Sequence, residues 1–268
     1  MCVVIAMVQM GPLQAQVPAP ASSAAEIQAQ QELDEAARAY RQGNFAEAQS
    51  HSEKALLIDP QNTKAPYFVA RTIHAQYKLG DATPENIAKA QEAISAYKKI
   101  LDRWPGDDEA YKAVAYLYGA LKEEALLKEW IVQRAANVSL PNDKRAEAFV
   151  ALASKEWECS FQITELPGNK ITTVAGNQAR VRYRIPKDGA EFERARECAN
   201  RGLELANLAT ILAPENDSAW SYKTNILLEL EKLAEMSGEV QLKLGLHRQY
   251  EEALKETTRL STRPQSKP

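Results

Sequence analysis

The stretch from Gly43 to Asn62, GNFAEAQSHSEKALLIDPQN, restricts this chain more than any other. Gly43 supplies a tight turn, because glycine enters the left-handed backbone region without steric cost. Phe45 then opens a segment free of helix breakers as far as Asp59-Pro60, where proline turns the residue before it away from helical geometry. Ala48 and Ala55 place small side chains one and three turns into that helix, where a neighbouring backbone can approach closely. Upstream, Glu26 to Gln42 consists of helix formers, with Leu33, Ala36, Ala37 and Tyr40 on a shared face. The stretch therefore predicts a helical hairpin that leaves an apolar stripe to be covered by a neighbour.

This unit resembles a tetratricopeptide repeat (TPR), with Gly43 as turn residue, Phe45 opening the second helix and Pro60 closing it. The pattern recurs. Thr63 to Leu79 reads as a helix with Tyr67, Ala70, Ile73 and Tyr77 inward, broken by Gly80-Asp81. Thr83-Pro84 starts the next helix, with Thr83 as cap, and Ala90, Ala93, Tyr97 and Ile100 continue the stripe to Trp104-Pro105. That second unit is about ten residues longer than the roughly 34 of the standard repeat. Asp107 caps a third, which carries Tyr111, Val114, Ala115 and Tyr118, turns at Leu121-Lys122-Glu123 and returns with Trp130 and Ile131 inward; its closing proline is displaced to Pro141. Asn142 to Ile163 opens a fourth, with Ala146, Phe149, Leu152, Ala153 and Trp157 as its stripe.

Two turns, Leu166 to Asn169 and Ala175 to Gln178, bracket the β-branched Lys170 to Val174, and Ala179 to Ile185 then alternates polar with apolar. That is a β-hairpin signature inserted between the two helices of one repeat. Asp188 with Glu191 reads as a capping box for a helix to Leu212, closed by Pro214. Asp217 starts the fifth unit with Ala219-Trp220 and the Leu227, Leu230, Leu233 series. Ser237-Gly238 breaks it, and Val240 to Leu260 follows with Leu242, Leu246, Tyr250 and Ala253 inward. The expected fold is all-α, a TPR-like α-solenoid of about five hairpins over residues 26–260 with a β-hairpin at 166–186 and a frayed tail at 261–268.

Before Glu26, the first charged side chain, lie the apolar run Val3 to Met10 and the small, Pro-rich segment Gln14 to Ala25. Residues 1–25 read as a signal peptide, with Ala15 or Ala21 ending a cleavage site, although no Lys or Arg precedes the apolar run; the alternative is a disordered N-terminal segment. The run falls far short of the roughly 20 residues of a membrane span. The expected location is the periplasm or the medium, and the cytoplasm if the segment is retained. Cys2 would leave with the leader. Cys159, late in one helix, and Cys198, early in its partner, are then predicted to form a staple across the hairpin insertion, the alternative being two buried thiols.

A net charge of −3 gives no global pull toward nucleic acid or anionic lipid. There is no phosphate loop, nucleophile elbow, zinc-protease motif or dinucleotide fingerprint, and His51, His74 and His247 fall in different repeats without metal-ligand spacing. No catalytic, cofactor or metal residue is expected. The resemblance implies a non-catalytic scaffold that holds a protein or peptide in a groove lined by the first helix of each unit, where Arg38, Arg71, His74, Lys78, Lys112, Tyr116 and Lys223 are the candidates. Two other classes are weighed beside it: an envelope enzyme or accessory subunit with chemistry spread over carboxylates, and a structural protein that self-assembles. Oligomeric state stays open. In the hairpin, Arg180, Arg182 and Arg184 alternate with Val181, Tyr183 and Ile185, and with Lys170 and Lys187 they form a basic island. Either the apolar face packs on the helices and leaves the arginines solvated, or this edge engages a partner by strand addition or by pairing with carboxylates or phosphates.

Overall fold

The computed structural model describes residues 23–175 and 178–263, apart from the side chains at 175 and 178–180. The expected leader up to residue 22, the tail from 264 and the Arg180 side chain lie outside the described residues. Among the described residues the chain forms ten helices and one two-stranded antiparallel sheet. The helices are α1 (Ala24–Arg41), α2 (Phe45–Ile58), α3 (Ala65–His74), α4 (Pro84–Arg103), α5 (Asp108–Ala120), α6 (Glu124–Ala136), α7 (Asn142–Thr164), α8 (Gly189–Leu212), α9 (Asp217–Ser237) and α10 (Val240–Ser261). Between α7 and α8 lie β1 (Lys170–Ala175) and β2 (Gln178–Tyr183). Consecutive helices pack as pairs, α1 on α2, α7 on α8 and α9 on α10, so the fold is all-α apart from the hairpin.

Local chemistry sets the ends of these helices. Ser23 and Glu26 form a reciprocal capping box that starts α1 at Ala24. Gly43 (φ 80°) and Gly238 (φ 74°) turn the chain in the left-handed region, and Lys122 (φ 58°) does the same without glycine. Asp59, Trp104 and Ala213 each precede a proline and leave helical geometry with ψ of 88°, 81° and 80°. Three local expectations are corrected. The helix expected over Thr63 to Leu79 is only Ala65–His74. Thr83 stands at the N-cap of α4 without a side-chain cap bond, and Asn86 instead organises the preceding turn, its amide bonding both Lys78 backbone groups and the Asp81 carbonyl. Asp188 accepts from the Ala190 N–H, and Glu191 returns no bond, so α8 starts with a simple cap.

The chain divides into two compact units, one ending at Tyr77 and one beginning at Lys78. In the first, Ala29, Leu33, Ala55 and Ala65 form the core beneath Leu56, Ile58 and Phe68. In the second, the main core joins α7, α8, α9 and α10 through Ala153, Phe192, Ala199, Ile226, Leu227 and Leu246. Gly202 on α8 marks a close approach there. A Cβ at that position would lie 3.3 Å from both Glu156 Cβ on α7 and Ile226 Cδ1 on α9. Leu242, expected inward, is 46% exposed, because α10 buries its apolar face from Leu246 onward. Among the described residues no helix is long and apolar enough to cross a membrane.

Candidate interaction site

The β-hairpin is positioned by the end of α7, the start of α8 and the middle of α9. Register pairs Lys170 with Tyr183 and Thr172 with Val181 on one face. The opposite face pairs Ile171 with Arg182. The expected alternation is therefore present, with Arg182 and Val181 on opposite faces of β2. Its support is confined to the base. Tyr183 donates its hydroxyl hydrogen to Glu165 Oε1 at 2.9 Å and lies under the Lys232 ammonium, 4.6 Å from the ring centre. Farther out, Val181 is 46% and Val174 73% exposed, as is Ile171 on the other face at 43%. The apolar face is thus covered by the helices at Tyr183 and open beyond it. Arg182 is exposed and makes no ion pair among the described residues.

The base is held by a buried ionic network. Lys232 on α9 donates to Glu229 Oε2 at 2.7 Å and to Glu165 Oε1 at 2.8 Å. Glu229, only 2% exposed, accepts from Thr164 Oγ1 at 2.5 Å and Ser160 Oγ at 3.2 Å through its other oxygen. Lys170, the first residue of β1, pairs with Glu165 as well. Arg184 donates from Nε to the Gly168 carbonyl at 2.7 Å, and Asn169 Nδ2 donates to the Ile163 carbonyl at 2.8 Å, which satisfies a backbone acceptor in the last turn of α7. One turn earlier, Cys159 is disulfide-bonded to Cys198 with their Cα atoms 6.0 Å apart, so the expected staple joins α7 to α8 on either side of the insertion.

Electrostatics follow from these contacts. Burial alone would raise the Glu165 carboxyl, but hydrogen bonds from Lys170, Lys232 and Tyr183 outweigh it and hold the pKa down to about 2. Burial, with the neighbouring Glu165, pushes the Tyr183 hydroxyl up to about 12. Two carboxylates thus converge on one ammonium. A general acid needs a carboxyl pushed upward, and Glu165 is pushed the other way. The network is suited to hold the ribbon rather than to move protons.

The remaining candidates form separate local sets. Arg38, exposed on α1, is bound at 2.7 Å by Glu35 of its own helix. Arg71 and His74 lie one turn apart on α3, and burial lowers the His74 pKa. Lys78 is exposed just ahead of the α4 turn. Lys112 and Tyr116 are exposed a turn apart on α5. Lys223 on α9 is half-buried, its ammonium 5.0 Å from the Trp220 ring centre, in a cavity of about 330 Å³ against Glu252 and Glu256 of α10; burial lowers its pKa.

A second cavity, of about 340 Å³, was not expected from the sequence. Its wall is the stacked pair Tyr111 and Trp130, ring centres 5.6 Å apart, flanked by Arg134, whose guanidinium lies 3.9 Å from the Tyr111 ring centre, and Lys98, 5.2 Å from Trp130. Arg134 is 5% exposed and pairs with Asp108, and its Nε is buried without a hydrogen-bond partner. Burial pushes the Tyr111 hydroxyl up to about 12. The inward Trp130 was legible from helical phase. The arginine beside it was not, since charged residues on a helix face ordinarily meet water.

No family model and no curated protein matches the chain. Among solved structures it is similar to a MamA protein, at 14% identity over 90% of this chain and 98% of that one, with a TM-score of 0.41. A second MamA structure aligns at 15% identity over 85% and 97%, with a TM-score of 0.39. A tetratricopeptide repeat protein from Parabacteroides merdae ATCC 43184 aligns at 12% identity over 90% and 95%, with a TM-score of 0.36.

Proposed function

We propose that the chain is a non-catalytic interaction scaffold of the cell envelope, which holds a protein or peptide partner on the outward faces of the first helices of its hairpins and on the β-hairpin. The observation that carries this reading is the buried anchor at Lys232. A network of two carboxylates, two ammonium groups and three hydroxyls fixes the posture of a ribbon that buries little of itself. Such an arrangement contributes a held surface, and a held surface is useful to a binding protein. The helices use their small and apolar stripes against each other, which leaves Lys112 and Tyr116 exposed on α5 for the same purpose. The envelope assignment is supported by the Cys159–Cys198 bridge, a bond that persists in oxidising compartments, and by the apolar, Pro-rich composition ahead of Glu26.

The test is capture from an envelope extract by the immobilised full chain, with soluble chain as competitor. A saturable partner is expected, with recovery reduced when Lys112→Glu and Tyr116→Ala are combined. If every recovered protein is indifferent both to competitor and to that double variant, the helix-face reading fails. Fractionation of expressing cells checks location, with processed chain expected outside the cytoplasm.

A further inference from the structure

We infer that the hairpin is an unfinished sheet whose outer β2 edge takes, as a third strand, an extended segment of another protein in which acidic and apolar residues alternate. This rests on the scaffold reading and names the class of partner. An isolated two-stranded ribbon is marginal in water, and three strands or a covering helix are needed to steady one. Here the covering ends at Tyr183, while Val181, Val174 and Ile171 extend into solvent. The strand order is β1-β2 with no third strand among the described residues, so each carries an outer row of backbone donors and acceptors that the sheet itself does not use.

Side-chain chemistry selects both the edge and its occupant. β2 carries Val181 and Tyr183 on one face and Arg182 on the other. A strand added along β2 shares those two faces, so its acidic side chains would meet Arg182 while its apolar ones extend the Val181 row. Arg182 forms no ion pair among the described residues and is available for that contact. On β1, by contrast, the terminal cation Lys170 is already paired with Glu165, and the middle residues are the threonines Thr172 and Thr173. The same charge disfavours a second copy, because two β2 edges brought together would set arginine beside arginine. Cations on an edge strand suppress pairing with neutral or basic strands and leave acidic ones. The anchor completes the device: Lys232, Glu165 and Tyr183 fix the direction of the ribbon, so little orientational freedom is lost on docking.

The probe is a fluorescein-labelled, end-blocked peptide alternating Glu with Val, titrated by anisotropy against the full chain. Three comparison peptides are a Lys/Val alternation, a block arrangement of the same Glu and Val residues, and the Glu/Val peptide with every amide N-methylated, which removes the donors from both of its edges. Saturable binding of the plain Glu/Val peptide alone is expected, weakened roughly tenfold or more by Arg182→Glu, as loss of a charge-assisted contact implies. Unchanged circular dichroism of the variant excludes misfolding. Equal binding of the N-methylated peptide would overturn strand addition in favour of charge capture, and equal binding of the block peptide would overturn the alternation. Absence of binding also overturns the proposal. A chain that ignores the peptide yet still captures an envelope protein loses the hairpin proposal and keeps the scaffold reading; one that does neither loses both.

Discussion

Glu229 sits in the run Ile226 to Lys232, where a carboxylate three residues before a lysine reads as an ordinary solvated pair. It is instead among the most buried side chains in the protein, and its hydroxyl partner Thr164 is 65 residues away in the chain. Breaking a buried pair from one side leaves the other charge uncompensated, so Lys232→Met is expected to destabilise by roughly 3 kcal/mol or more. Replacing both, with Glu229→Leu added, should recover much of that loss, because a buried pair is often matched by apolar residues of similar volume. Urea unfolding of the three proteins checks this, and a single variant as stable as the parent would remove Lys232 from the anchor. Acid offers a second handle on the same group. Glu165 is depressed from its ordinary 4.5 to about 2, so its contribution is fully present above 4.5 and is lost as pH falls toward 2. Protection of the β1 and β2 amides, taken relative to the intrinsic exchange rate at each pH, should therefore fall as pH drops across that window, with Lys170→Met flattening the change.

The insertion between α7 and α8 shows what an element's own pattern predicts. Period-two alternation after Ala179 is enough to specify a strand, and Asn169 and Lys170 mark where it begins to be tied down. Alternation also specifies which side chains share a face, but it does not say whether a helix covers that face. The disulfide compensates for the separation of the two helices in sequence. It closes a loop with a sequence separation of 39. The chain-entropy model puts the value of such a closure at roughly 3 to 4 kcal/mol, to be measured by urea unfolding of the Cys159→Ala/Cys198→Ala protein against the oxidised parent. Superimposable curves would deny the staple a stabilising role. Packing of α7, α8 and α9 makes a separate prediction. Any side chain at Gly202 must displace Glu156 or Ile226, and Gly202→Val is expected to lower stability by about 1 to 3 kcal/mol despite replacing a helical glycine. A neutral result would mean the three helices yield more readily than their spacing indicates.

Across the whole molecule the charges nearly cancel, with a net of −3, and the basic island on the hairpin is a local excess on an acidic chain. Attraction of an acidic partner to that island should be screened by salt, whereas apolar packing in the cores should not. Raising salt from about 0.05 to about 0.5 M is thus expected to release such a partner while leaving the thermal midpoint nearly unchanged, since the Debye length shrinks about threefold over that range. Recovery that is indifferent to salt would argue for apolar contacts on the helix faces instead. The sequence by itself determined the helices, the hairpin and the helix ends marked by strong local signals, because glycine at 43 and 238, proline after Asp59, Trp104 and Ala213, and apolar spacing all act within a few residues; the ends of α3 carry no such signal and lie inside the expected span. Only the tertiary structure decided that Glu229 and Arg134 are buried, that Val174 and Val181 are left in water, and that Gly202 is a contact point. Each of those depends on groups brought together from distant parts of the chain, and local patterning carries no record of which face a distant helix will cover.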